Sequence, residues 1–183
     1  MLRLGSNSIT RANILNSFDI NFVQNGGSFD EDSIKTKDPK SFVYQATLGK
    51  YKELYAKYGV NDMPLLVADS VVTANGELLR KAKDETDARR MLELQSGNKT
   101  SVITCMIYKS EDIEIIDISI TTYTFSTFDK KDMDEYISSG ECFGKAGAIM
   151  VEGFCKPYIK EVKGYESCAM GLCIEKLLPF LES

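Results

Sequence analysis

Apolar positions along the chain alternate between strand-like and helix-like periods, and that alternation predicts most of its elements. Residues 2–5 (Leu-Arg-Leu-Gly) read as a short strand, and Ser8 caps a helix carrying Ala12, Ile14, Leu15 and Phe18. Residues 20–24 alternate as a second strand, followed by Gly26-Gly27 and the acidic turn Asp30-Glu31-Asp32. Pro39 to Tyr58 follows a helical period. Its apolar stripe is Tyr44, Leu48, Tyr51, Tyr55 and Tyr58, which Val43, Ala46 and Leu54 extend. Leu65 to Val72 is an apolar run opened by Pro64, short and rich in Val and Leu, and reads as a buried strand. Asn75-Gly76 turns it into a hairpin with Leu78-Leu79, and Arg80-Lys81-Ala82-Lys83 reads as a solvated basic patch. Asp84 caps a helix with Ala88, Met91 and Leu92 inside, ended by Ser96-Gly97.

Residues 101–108 and 113–128 predict two long strands joined by Ser110-Glu111-Asp112, with a bulge or bend where the isoleucine spacing changes phase between Ile115 and Ile116. Asp129 caps a short helix ending before Gly140, and a glycine-punctuated segment runs from Gly144 to Gly153. Tyr158 to Val162 reads as a strand and Gly171 to Leu181 as a closing helix. Strands that alternate with helices, some joined as hairpins, give an α/β (mixed α+β) class around one sheet.

Composition narrows the function more than the fold. At 183 residues, 43% apolar and 27% charged, the chain reads as a single globular domain, residues 1–183. A net charge of −5 argues against stable nucleic-acid binding, which needs clustered Lys and Arg. No apolar run approaches the roughly 18 residues of a membrane span and no signal-peptide pattern opens the chain, so a cytoplasmic location is expected. The five cysteines form no C-x-x-C pair, and histidine is absent. That removes the His-dependent nucleophile schemes and every His-ligated metal site. Chemistry must then run on carboxylates, lysines, arginines, hydroxyls and a hard metal.

Four features of the pattern carry chemistry. Asp69 interrupts an apolar strand, and an ionised carboxylate buried without a partner is costly, so it is expected at the strand's end facing a cation or metal. A turn-forming aspartate is the structural alternative. The strand–turn–helix start at Ser6-Asn7-Ser8 presents free N–H groups, and Arg11 in the first turn opposes the helix dipole unless an anion sits beside it. Lys50 lies on the buried side of its helix and must snorkel outward or find an anion. The acids at 30–32 are either hard-cation ligands or a solvated loop. No G-x-x-x-x-G-K-[ST] or G-x-G-x-x-G is present. Cations at a helix start suit polyphosphate, and acids beside it suit Mg²⁺.

Together these motifs resemble the Maf family (septum formation inhibitor Maf), nucleoside triphosphate pyrophosphatases related in fold to the inosine triphosphate pyrophosphatases. The resemblance runs through Ser6-Asn7-Ser8-Ile9-Thr10-Arg11, Phe29-Asp30-Glu31, the helix ending at Lys50, Ala68-Asp69-Ser70-Val71-Val72, and Asn75-Gly76 with Lys81. It continues through Met91-Leu92, Ser96-Gly97, Thr104, and Lys145-Ala146-Gly147-Ala148 with Glu152-Gly153. It implies one elongated, twisted mixed sheet with helices on both sides and two lobes around a central cleft. The implied reaction splits a nucleoside triphosphate, with a pyrimidine or modified base, into monophosphate and pyrophosphate, with a divalent cation (Mg or Mn). Asp69 matches the general base, and Glu31 with Asp69 the metal acids. Ser8, Arg11, Lys50 and Lys81 match the phosphate-binding residues. Lys145 and Glu152 match the closing loop, and Ser6 and Ser70 add substrate-facing hydroxyls. A homodimer is compatible with the resemblance. Thr10 replaces the first arginine of the family's usual pair, Arg80 and Ala82 flank Lys81 where Gly or Glu and Pro are usual, and Glu152 replaces a Gln. The competing reading is a nucleotide-sensing interaction protein that restrains septum formation without catalysis.

Overall fold

The longest apolar runs pair with one another. β3 (Leu65–Ala74) and β5 (Lys99–Lys109) run antiparallel from Leu65 opposite Lys109 to Ala74 opposite Thr100. β6 (Glu114–Phe125) lies antiparallel outside β5, and β7 (Ile159–Lys163) pairs with its last residues. Two short strands share the other edge of β3. β1 (Leu2–Leu4) lies parallel beside its start, with Leu4 opposite Leu66, and β2 (Phe22–Gln24) lies parallel outside β1. β4 (Glu77–Leu79) folds back on the end of β3 through Asn75-Gly76, whose φ values of 51° and 80° are those of a tight hairpin turn. The result is one mixed seven-stranded sheet. Between Leu66 and Val72, however, no strand among the described residues lies beside this edge of β3. The computed structural model describes residues 1–181; residues 182 and 183 of the expected domain lie outside the described residues.

Six helices pack on this sheet: α1 (Ile9–Ser17), α2 (Pro39–Tyr58), α3 (Glu85–Gln95), α4 (Lys130–Ser139), α5 (Glu166–Ala169) and α6 (Ile174–Leu181). Alternation along β3 sorts the core. Leu66 and Ala68 pack with Met106 and Tyr108 under α1 and α6. Val72 and Ala74, on the same face, pack with Val102 under α3 and α4. Val67 and Val71 point the other way, against Leu54 and against Phe42, Val43 and Ala46 of α2. One face therefore carries two separate apolar cores. Between them runs a row of hydroxyls, Ser70 opposite Thr104 and Thr104 opposite Ser119, across three strands.

The sequence pattern is corrected at five places. The buried face of α2 is Phe42, Val43, Ala46, Thr47 and Leu54, whereas Tyr44, Leu48, Tyr51 and Tyr58 are half-buried and Tyr55 is 41% exposed. Phenolic side chains can keep their hydroxyl in water, so that stripe sits at the helix flank. Phe18 lies beyond α1 as its exposed C-cap, not on the inner face. The β5–β6 register is unbroken through Ile115 and Ile116, and the irregularity falls at Thr124/Phe125 against β7. Isoleucines simply occupy both faces of β6, leaving Ile116, Ile118 and Ile120 exposed. Residues 171–181 divide into a turn and α6, with the four-residue α5 ahead of it. Asp69 sits mid-strand opposite Cys105, because β3 continues past it to pair with β4. Among the described residues, no helix is long and apolar enough to cross a membrane.

Candidate active site

A cavity of about 580 Å³ opens where the edge of β3 is bare, between the end of β1 and the start of β4. Asp69 is therefore at an end after all, the end of the parallel β1–β3 pair, although not of its own strand. Ser6, Ser8, Arg11, Glu31, Lys50, Asp69, Ser70, Lys81, Lys145 and Glu152, all ten residues singled out in the sequence, line this cavity.

The first wall is built by the turn after β1. Gly5 donates its N–H to Leu66 O, and the chain then leaves the sheet into the α1 cap. Ser8 Oγ accepts from Arg11 N at 3.3 Å, a conventional N-cap. The Arg11 side chain is held by three bonds: Nε to Gly171 O at 2.7 Å, Nη1 to Ser6 Oγ at 3.1 Å, and Nη2 to Ser70 Oγ at 3.3 Å. A guanidinium has five N–H groups, so one remains on each terminal nitrogen. Two N–H groups side by side fit two oxygens of a phosphate. Burial pushes the Arg11 pKa down, the charges of Asp69 and Glu31 pull it back up, and the group stays charged at neutral pH. Ser6 Oγ also accepts from Ser8 N at 3.1 Å, which leaves its O–H to donate into the cavity.

The second wall holds the carboxylates. Asp69 is 6% exposed; its Oδ1 lies 3.1 Å from Lys50 Nζ, and its Oδ2 is buried with no hydrogen-bond partner among the described residues. Lys50 also lies 2.6 Å from Glu31 Oε1, so the anionic destination its position called for is a pair of acids. Glu31 belongs to a 3₁₀ turn, residues 31–33, capped by Asp30 and seated by Phe29, whose ring packs on Gly49 of α2 where a Cβ would collide with it. Burial pushes the Glu31 carboxyl up, but the hydrogen bond and charge of Lys50, with Lys81 and Arg80 behind it, more than offset this and hold it below its ordinary value. Arg80 is not a solvated residue as the sequence suggested. It spans Asp32 at 2.7 Å and Glu31 Oε2 at 3.4 Å, with its guanidinium over the Phe42 ring.

The third wall is the glycine-punctuated segment. Lys81 and Ala146 form an isolated antiparallel bridge, and Gly147 N donates to Arg80 O at 2.9 Å. Gly147 has φ 63° and approaches Val72 so closely that a Cβ would lie 2.8 Å from its side chain. From beneath, the buried Gln95 at the end of α3 donates to Gly147 O at 2.7 Å. Lys145 and Glu152 thus hang from a segment tied to β4 and α3.

Two features of the site had no role assigned from the sequence. Gly171 and Met170 reach the cavity from the α5–α6 turn, 160 residues from Arg11, with no local pattern to announce it. Thr104 carried no assigned role, yet it connects the hydroxyls. It donates to Cys168 O at 2.7 Å, and Ser70 Oγ lies 2.7 Å from Thr104 Oγ1. Thr104 has one hydrogen and spends it on Cys168, so Ser70 must donate to Thr104 and accept from Arg11. The chain of bonds runs one way, from Arg11 through Ser70 and Thr104 to the Cys168 carbonyl.

Glu31 and Asp69 supply hard oxygen donors on either side of one Lys50, with one Asp69 oxygen still unpartnered. Among the described residues no group of three or more His, Cys, Asp or Glu side chains could hold a metal. Two carboxylates completed by water and phosphate oxygens is how Mg²⁺ is usually held, so the residues fit a cation that binds with a polyphosphate.

Comparison with known proteins agrees with this geometry. The family model for Maf-like proteins matches residues 1–183. A nucleoside triphosphate pyrophosphatase of a Nitratiruptor species is 50% identical over 179 residues, covering 97% of this chain and 96% of that protein. One from Helicobacter pylori (strain J99 / ATCC 700824) is 41% identical over 184 residues, covering 99% and 95%. One from Campylobacter jejuni subsp. doylei (strain ATCC BAA-1458 / RM4099 / 269.97) is 35% identical over 183 residues, covering 99% and 100%.

Proposed function

This chain belongs to the Maf family and is a nucleoside triphosphate pyrophosphatase, a hydrolase; we propose that Asp69 activates the attacking water and that the substrate carries a pyrimidine or modified base. Water adds to the α-phosphorus, the bond from that phosphorus to the oxygen bridging to the β-phosphorus breaks, and pyrophosphate leaves. The water's proton passes to Asp69. The observation that carries this reading is the state of Asp69, a residue lining the cavity: ionic contact on one oxygen, and the other buried and without a partner among the described residues. With no histidine in the chain, a carboxylate is the natural proton acceptor.

The other residues divide the work by position. The two spare N–H groups of Arg11 clamp one phosphate, and the Ser6 and Ser8 hydroxyls donate to its oxygens. Lys81 and Lys145, neighbours on the third wall where Lys81 bridges Ala146, neutralise the pyrophosphate as it leaves. Glu31 and Asp69 would hold the divalent cation, Mg or Mn, which when bound lowers the pKa of water and neutralises charge on the phosphates. Glu152, a carboxylate on the closing segment, accepts from N–H donors on the base edge. Cations and hydroxyls on the first and third walls thus fix the triphosphate while the acids face its α-phosphate.

We further propose that two copies associate through β6. Among the described residues no strand pairs with the outer edge of Glu114 to Thr121, and Ile116, Ile118 and Ile120 stand 47%, 38% and 40% exposed beside it. An unpaired strand edge is self-complementary in the antiparallel sense, so a second copy related by a two-fold axis can extend the sheet.

The test is pyrophosphate release from a panel of ordinary and modified nucleoside triphosphates with Mg²⁺, for the wild type and Asp69→Asn. Asp69→Asn should lower kcat by about 10²-fold or more. A variant as active as wild type would remove Asp69 from the mechanism.

A further inference from the structure

Lys50 stands where a cation between the two metal acids would have to be. Its Nζ is 2.6 Å from Glu31 Oε1 and 3.1 Å from Asp69 Oδ1, and Arg80 lies 3.4 Å from the other Glu31 oxygen. Three carboxylates (Glu31, Asp32, Asp69) here face four cations, since Lys81 adds its field at Glu31 and Arg11 lies in the fields of Asp69 and Glu31. A free divalent ion entering this cavity meets acids whose charge is already matched. A triphosphate meets the opposite situation: an excess of cations and the spare N–H groups of Arg11.

We infer that Lys50 is a place-holder for the divalent cation, keeping Glu31 and Asp69 ordered and closed to a free metal ion until a triphosphate draws its ammonium away. This rests on the assignment of Glu31 and Asp69 to the metal. The lysine is suited to the exchange. Its stem lies along the buried side of α2, with its side chain 19% exposed, so its head can move from carboxylate to phosphate by rotation about the stem. Such an exchange costs little. The ammonium leaves two carboxylates for phosphate oxygens, and the incoming metal replaces it on the carboxylates. Binding is then ordered, with metal and nucleotide entering together. Metal alone cannot load the site, and a site without metal keeps its acids from drifting into the phosphate position.

The test reads Mn²⁺ binding with no turnover. Free Mn²⁺ is followed by electron paramagnetic resonance in titrations of wild type, Lys50→Met and Lys50→Met/Asp69→Asn, all without nucleotide. Met keeps the apolar stem, and Lys50→Gln serves if Lys50→Met does not fold by circular dichroism. In parallel, the affinity of wild type for a nucleoside triphosphate with a methylene between its α- and β-phosphorus is measured with and without Mn²⁺. We expect Lys50→Met to bind Mn²⁺ alone at least about tenfold more tightly than wild type, a gain the Asp69→Asn change abolishes. We expect Mn²⁺ to strengthen analogue binding to wild type. Wild type binding Mn²⁺ alone as tightly as Lys50→Met overturns the place-holder while leaving the metal assignment standing. A gain that survives Asp69→Asn, or analogue binding that ignores Mn²⁺, overturns the metal assignment itself.

Discussion

Replacing Thr104 by valine should separate phosphate binding from turnover. Valine matches threonine in shape but has no hydroxyl. The change removes one of the two donors to the Cys168 carbonyl, Thr104 at 2.7 Å, leaving the Gly171 N–H at 3.0 Å, and takes away the acceptor that orients Ser70. Losing one hydrogen bond at a carbonyl that keeps another costs about 0.5–1.5 kcal/mol, which in a chain of this size lowers Tm by a few degrees, about 2–4 °C per kcal/mol. The functional cost arises one bond further on. Ser70 Oγ, no longer held by Thr104, turns its lone pair away from Arg11 Nη2 at 3.3 Å. The guanidinium then keeps only the Gly171 carbonyl and Ser6, and its two spare N–H groups lose their fixed direction. A hydrogen bond to a charged group is worth about 1.5–3 kcal/mol, which is roughly ten- to a hundredfold in KM, since 1.4 kcal/mol is tenfold. Because Asp69 projects from the other face of β3, kcat should fall much less than KM rises. Steady-state pyrophosphate release for Thr104→Val and Thr104→Ser gives both constants, and serine should restore KM. A Thr104→Val protein with lowered Tm and wild-type KM would make Thr104 a packing residue and refute the bond chain.

Two further outcomes follow from the same structure. Ile118→Lys places a charge at the centre of the exposed β6 face and should convert a two-chain species to single chains in sedimentation equilibrium, with Tm within a few degrees of wild type. A wild type that sediments as one chain at every concentration removes the proposed dimer. The Glu31 carboxyl is held below its ordinary value of 4.5 in the folded protein. Its contribution to stability is therefore fully present above about pH 4.5 and lost as pH falls through the folded value, because the unfolded chain takes the proton first. Wild type should lose its stability advantage over Glu31→Gln as pH falls below about 4.5, and parallel Tm curves for the two proteins through that descent would contradict this.

What the sequence disclosed depended on how local each cause is. The limits of α2, Pro39 to Tyr58, were legible because Pro39 after Asp38 fixes the start and Gly59 (φ 61°) the stop. Its buried side was legible only at Val43, Ala46 and Leu54, since four tyrosines and a leucine at helical spacing imitate a core stripe while the small residues Ala46 and Thr47 make the close contact with β3 and β5. Asp69 was recognisable as an anomaly in an apolar run. That it lies mid-strand yet at an opening was not recognisable, because the opening is made by β1 stopping at Leu4 and β4 starting at Glu77. Lys50 was placed on the buried side by spacing alone, and its partners Glu31 and Asp69, 19 residues away on either side, could only be named as candidates. Arg80 was misread because its partners lie 48 and 49 residues back, in a turn with no period of its own.

The hydroxyl row explains why the site and the two-part core arise together. Ser70, Thr104 and Ser119 occupy one line across β3, β5 and β6, on the face where Ala68 and Met106 lead into one apolar cluster and Val72 and Val102 into the other. Apolar side chains at these positions would join the two clusters into one and bury more surface, at about 0.8 kcal/mol for each added CH₂. The row forgoes that gain. In return it draws the α5–α6 turn down onto the sheet through Thr104 and Cys168 O, and that turn carries the Gly171 carbonyl which fixes Arg11. Gly171, with φ 110°, lets the carbonyl reach the guanidinium, since a Cβ there would crowd Arg11 Nε at 3.3 Å. The polar break in the core is thus the same structure that aims the Arg11 guanidinium, the proposed phosphate clamp. It follows that substitutions filling the row with carbon should trade catalytic specificity for stability, whereas substitutions in either apolar cluster at positions that do not line the cavity should change stability alone.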